Sequence, residues 1–237
     1  EPYFKKNNYK EVKLIDRYGP FERLNDYTLN ENLSDKNLRN FLFFVNYKGI
    51  GLGIHRGNKW WGPSMHSTLQ MTNNSWPMNS QIIGTMREIR LGKVGLYALF
   101  SFSELNDRSN IIKKYHTALN GKITWYGPTI ISAGFSRNYL SGGVKSLNGK
   151  LWTANDARML IFEGFLTSNL LKYEYTIGGH DQWDQTLSGY FLLTMPKRKL
   201  KMYAEVGVND NRMYFADLLS QPDHTIATII GFRDYGI

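Results

Sequence analysis

The chain has 237 residues and a formal net charge of +9, from 29 Lys and Arg against 20 Asp and Glu. It contains no cysteine, which excludes a disulfide framework, a thiolate nucleophile and a cysteine-based zinc site. No apolar run approaches the roughly 18 residues of a spanning helix, so a helical membrane protein is excluded, while a transmembrane barrel, whose alternating strands carry little hydropathy signal, is not.

In chain order, residues 41–54 read as a strand, with Gly49, Gly51 and Gly53 inside it as packing or curvature positions rather than a phosphate loop. A loop follows, Arg56-Gly57-Asn58-Lys59-Trp60-Trp61-Gly62-Pro63, and then Asn73-Asn74-Ser75-Trp76-Pro77. In residues 93–102, Val94, Leu96, Ala98, Phe100 and Phe102 share one face of a strand. Residues 109–119 predict a short helix, Asn120-Gly121 and Asn148-Gly149 predict turns, and residues 129–137 predict a strand. Residues 155–166 fit either helix or strand, and residues 171–177 alternate as a strand. Residues 187–195 and 199–208 predict a hairpin closed at Pro196 to Arg198. In its second arm Leu200, Met202, Ala204, Val206 and Val208 oppose Lys201, Tyr203 and Glu205. Residues 225–232 predict a last strand. The reading is an all-β, antiparallel chain with few short helices, forming one domain over residues 1–237.

The alternating strands run to about nine or ten residues, the length of a tilted outer-membrane strand and longer than the usual strand of a soluble sandwich. The apolar face would then meet lipid and the polar face a watery lumen.

Several groups carry candidate chemistry. The Trp60 and Trp61 indoles suit stacking on a sugar ring, and Arg56 and Lys59 suit pairing with a uronate carboxylate. The structural alternative is a loop that anchors the barrel at the membrane interface or wedges into its lumen. Asn73, Asn74 and Trp76 match sugar hydroxyls, although Asn is equally a turn residue. His180, Asp181 and Asp184 gather near Trp183, but their spacing fits no calcium loop and marks no proton donor, so a strand-end loop is favoured. The five His are scattered with no metal-ligand spacing. No nucleophile elbow, P-loop or dinucleotide fingerprint is present, and no motif supports nucleic-acid binding. The expectation is a protein that is not an enzyme, with no cofactor and no metal. The rivals are a glycan-active enzyme using Asp181, Asp184 or Glu205, and a soluble basic β domain.

Trp60-Trp61-Gly62-Pro63, followed by residues 69–76 and Pro77, resembles the signature of the Wzi-type capsule assembly proteins. So do Asp184-Gln185 with residues 187–196, and Tyr203-Ala204-Glu205 with Gly207, Asn209-Asp210 and residues 222–231. The resemblance implies a lectin-like β-barrel in the outer membrane of a Gram-negative cell, which helps to hold capsular polysaccharide. It implies glycan contact by Arg56, Lys59, Trp60, Trp61, Asn73, Asn74 and Trp76. Structural or lumenal roles are implied for Asp184, Gln185, Tyr203 and Glu205. Expected partners are an acidic surface polysaccharide, outer-membrane lipid and other outer-membrane proteins, the alternative role being that of an accessory subunit in a larger complex. The family's barrel is large, so this chain is expected to be part of a longer barrel or a smaller relative.

Overall fold

The computed structural model describes residues 2–5, 35–38, 40–72, 78–105, 114–142, 153–155, 157–158, 183–209 and 226–235. Two short strands, β1 (Pro2–Lys5) and β2 (Asp35–Leu38), pair with each other. The rest of the β structure is one sheet of ten strands: β3 (Phe41–Tyr47), β4 (Ile50–Arg56), β5 (Asn79–Thr85), β6 (Ile89–Leu91), β7 (Val94–Leu105), β8 (Lys114–Tyr126), β9 (Ile130–Gly142), β10 (Trp183–Met195), β11 (Leu200–Asn209) and β12 (Ile226–Asp234). Every ladder is antiparallel and chain neighbours pair, with β6 attached to β7 as a short flap. Among the described residues the ladder runs from β3 to β12 without closing on itself.

Because the sheet is a meander, its connections alternate between two ends. One end holds the short turns 48–49, 92–93, 127–129 and 196–199, with 86–88 a break between β5 and β6, which run in the same direction along β7; the other end holds the longer connections 57–78, 106–113, 143–182 and 210–225. This asymmetry is the one found in outer-membrane barrels.

Three elements depart from the sequence reading. Residues 41–54 form a hairpin rather than one strand. Lys48 (φ 50°) and Gly49 (φ 90°) adopt the left-handed turn conformation that matches strand twist, and no Asn-Gly pair announces it. The helix predicted from residue 109 is strand from Lys114 onward, and Asn120-Gly121 lies mid-strand opposite Ser136 and Phe135. Of residues 155–166, Asn155, Ala157 and Arg158 are described and are helical, as is the preceding Ala154. The 171–177 strand and the Asn148-Gly149 turn lie outside the described residues.

The two faces of the sheet differ sharply. On one face lie Phe43, Val45, Leu52, Ile83, Leu96, Ile123, Trp125, Phe135, Phe191, Met202, Val206, Ile230 and Phe232, all exposed. The exposure is not confined to the edge strands: Ile123 is 51% and Phe191 49% exposed in the middle of the sheet. The other face carries buried small polar groups paired across strands, including Ser80 with Ser103 (2.8 Å), Asn120 with Ser136 (2.6 Å) and Thr124 with Ser132 (3.1 Å). A water-soluble sheet does the reverse, burying its apolar face.

The polar face is concave. Trp61 packs on Ile82 of β5, Leu99 of β7 and Ala118 of β8. The next residue, Gly62, lies against Glu205 of β11. In a flat sheet β5 and β11 would be five spacings, about 24 Å, apart. One residue step bridges them only because the sheet curls around the loop.

Candidate functional site

The concave space is filled by the 57–72 part of the β4–β5 loop. Lys59 enters first, and its Nζ donates to Ser80 Oγ at 2.8 Å. Lys59 is only 6% exposed, and burial pulls its ammonium down to about 8. Trp61 follows, 5% exposed, in an apolar nest with Ile82, Leu99 and Ala118, flanked by Phe44, Met71 and Tyr97. Its backbone N–H donates to Met71 O at 3.2 Å, which ties the descending and returning arms of the loop together. At the tip, Trp60 Nε1 donates to Ser64 O at 2.8 Å across Gly62-Pro63.

Glu205 is the anchor on the opposite wall. It is fully buried, and its Oε1 accepts from the backbone N–H of Leu69 at 3.3 Å. The Thr68 hydroxyl lies between the Trp61 carbonyl and Glu205 Oε1. Gly62 must be glycine here: a Cβ would come 2.3 Å from Thr68 Oγ1 and 2.8 Å from Glu205 Oε2. Two further ties complete the seat. Ser64 Oγ donates to Tyr203 Oη at 3.2 Å. Gln70 Oε1 accepts from Thr186 Oγ1 at 2.8 Å and from Asn138 Nδ2. The loop is therefore bonded to β5, β9, β10 and β11 and packed on β7 and β8.

Toward the short turns, the loop leaves a cavity of about 380 Å³, lined among others by His55, Lys59, Trp60, Tyr97, Lys122 and Tyr190. Aromatic rings and amines share its lining, with Lys122 Nζ 5.9 Å from the Tyr97 ring centroid. Lys122 is held at its side by Glu88, 2.8 Å away, and Glu88 also accepts from Thr124 Oγ1 at 2.9 Å and from Tyr126 Oη. Burial pushes the Glu88 carboxyl up, but hydrogen bonds from Lys122, Tyr126 and Thr124 outweigh it and hold the group below the ordinary carboxylate range. The Lys122 charge at the cavity wall is thus already matched by Glu88; among the described residues no cluster of His, Asp and Glu could hold a metal ion.

The residues expected from sequence do not all meet. Lys59, Trp60 and Trp61 are together inside the curl. Arg56, the last residue of β4, has the parity of the exposed Ile54 and leaves the strand on the outward face. Tyr203 and Glu205 hold the loop, as described. Gln185 is buried, with its Oε1 accepting from Arg137 Nε at 3.3 Å and Nη2 at 3.2 Å, but it shares the parity of the outward-facing Leu187. Asp184 belongs to β10, where its backbone pairs with Leu140. Asn73, Asn74, Trp76, His180 and Asp181 lie outside the described residues. Sequence reading missed Thr68, Ser64, Gln70, Lys122, Glu88 and Tyr190. Tyr190 was legible only as a polar member of the 187–195 strand, Lys122 fell in no predicted element, and the loop's small polar residues carried no signal at all.

Fold and site together define a class: an antiparallel, curled β wall, apolar outside and polar inside, with a loop folded into its hollow. No family model and no curated protein matches the chain. Among solved structures, it is similar to a loop L8 deletion mutant of OmpT, an outer membrane protein of Vibrio cholerae, at 12% identity and a TM-score of 0.40. The match covers 81% of this chain and 51% of that one, so the chain spans about half the length of the structure it resembles.

Proposed function

We propose that the chain is the wall of an outer-membrane β-barrel of a Gram-negative cell, with its lumen obstructed by the β4–β5 loop. The observation that carries this reading is the inversion of the two faces: large apolar side chains are exposed in mid-sheet while Glu205, Ser101 and Ser136 are wholly buried. Lipid is the solvent in which such an arrangement is favourable. The reading includes the finer role implied by the Wzi-type resemblance, holding or guiding an acidic surface polysaccharide. In support of that role are the overall positive charge and the lumenal cavity that sets Lys122 beside the Trp60, Tyr97 and Tyr190 rings. Trp61 and Lys59 are buried against protein, so they act by holding the loop. Trp60 on the cavity wall and Arg56, at the end of β4 and outside the cavity, are the contact groups of this reading.

The test has two stages. The chain is refolded with phospholipid vesicles, and insertion is followed by protease protection and by a folded band that shifts on heating. Failure to insert removes the barrel reading. Inserted protein is then titrated with a polyuronate and with a neutral glucan. Saturable binding of the polyuronate alone, weakened by salt, is the expected result; equal or absent binding removes the glycan role and leaves the barrel.

A further inference from the structure

The two ends of the sheet carry different charge. The short turns and the neighbouring β5–β6 break contain Lys48, Arg87, Lys93, Lys197, Arg198 and Lys199 against the single carboxylate of Glu88, which is already held by Lys122. All six of these cations are exposed. In the sequence of the four longer connections, eight basic residues are balanced by eight acidic ones. The chain's positive excess is thus concentrated at the short-turn end.

Two further observations belong to the same end. Tyr47 and Trp125 point outward next to it, 76% and 50% exposed, and Lys48 Nζ lies 5.3 Å from the Tyr47 ring centroid. Such rings are characteristic of the level at which lipid headgroups begin. Lys48 and Lys199 also sit at φ 50° and 51°, where glycine or asparagine is the comfortable residue. A lysine occupies each position in spite of the backbone.

From these observations we propose that the short-turn end is a cationic collar that binds the headgroups of anionic phospholipid in the leaflet it reaches. This rests on the transmembrane reading above. The apolar belt ends at Tyr47 and Trp125, and the amines that follow stand at the depth of the phosphates. A basic surface just beyond a membrane-embedded stretch attracts anionic lipid through each Lys or Arg that reaches it. The collar fixes the depth of the barrel and favours insertion with the short turns at the anionic leaflet.

The experiment uses the full chain refolded into vesicles of phosphatidylcholine, with or without phosphatidylglycerol, and doped with a brominated form of either lipid. Quenching of tryptophan emission, less that of the Trp125→Phe variant, reports the lipid beside the girdle. The expected result is a preference for brominated phosphatidylglycerol of about fivefold or more. It should fall to about one in the variant R87Q/K93Q/K197Q/R198Q, and also in high salt. These positions are exposed and outside the Glu88–Lys122 network, so the variant should insert as the parent does. Normal insertion with equal quenching by both lipids overturns the collar alone. Failure of the parent to insert in either vesicle overturns the membrane reading and the collar with it. If the variant keeps its lipid preference but loses affinity for soluble polyuronate, the collar is a glycan site and the lipid proposal is wrong.

Discussion

The inner and outer faces of the same strands obey opposite rules. On β11, Met202 and Val206 are exposed, while their neighbour Glu205 is fully buried and hydrogen-bonded to the returning arm of the loop. On the transmembrane reading, an apolar side chain is accommodated on the outside by chemistry alone, because any hydrocarbon solvent will do. A polar one on the inside needs a particular partner in a particular place. The outer face is thus tolerant of shape and intolerant of charge, and the inner face is the converse.

The largest expected effect sharpens that contrast. Trp61→Ala removes an indole from a protein-lined nest, and such truncations cost about 3–5 kcal/mol. Ile123→Ala on the outer face should cost about 1 kcal/mol or less, since lipid fills the space and no cavity remains. Reversible urea titration in lipid measures both, and equal losses would mean that the two faces are packed alike.

Charge should reverse the order. Val206→Arg places a cation against lipid and should cost about 2–4 kcal/mol near the mid-plane. Tyr203→Arg, on the lumenal face, loses the Ser64 contact and should cost about 1 kcal/mol. Equal effects of the two arginines on insertion would break the assignment of the faces.

A smaller effect concerns Lys59. Its folded-state value, about 8, lies below the ordinary 10.5, so the unfolded chain holds this proton more tightly than the folded one. Below pH 8 the full penalty on folding is present, and it is relieved as pH rises from 8 toward 10.5. The parent should therefore gain about 3 kcal/mol over that window relative to Lys59→Met, whose profile lacks this component. Parallel profiles for the two proteins would show that Lys59 is solvated in the folded state.

The least expected change is in function. Trp60→Ala leaves the Trp61 nest intact and should lower polyuronate affinity about fivefold, at about 1 kcal/mol for a lost stacking contact. Arg56→Ala should have a smaller effect that vanishes at high salt. Both are measured per inserted molecule. Loss of inserted protein at unchanged affinity would make Trp60 a structural residue like its neighbour.

Much of the wall was legible in the sequence, because a strand exposed to different solvents on its two faces must alternate. The alternation in residues 200–208 fixed which side chains of β11 share a face without any reference to its neighbours. The hairpin at Lys48-Gly49 escaped notice because the apolar pattern runs through it and only the backbone angles reveal the turn. Asn120-Gly121 imitates a turn, yet lies mid-strand because Ser136 satisfies the amide across the ladder and the Phe135 ring covers the glycine. The seat of the loop was beyond sequence reading altogether. Thr68 meets a carboxylate 137 residues away, and Gly62 is required by that same carboxylate rather than by its own turn. Local pattern determined which faces are polar. Only the curl of the sheet, which brings β5 and β11 within reach of a single loop, decided what fills the space between them.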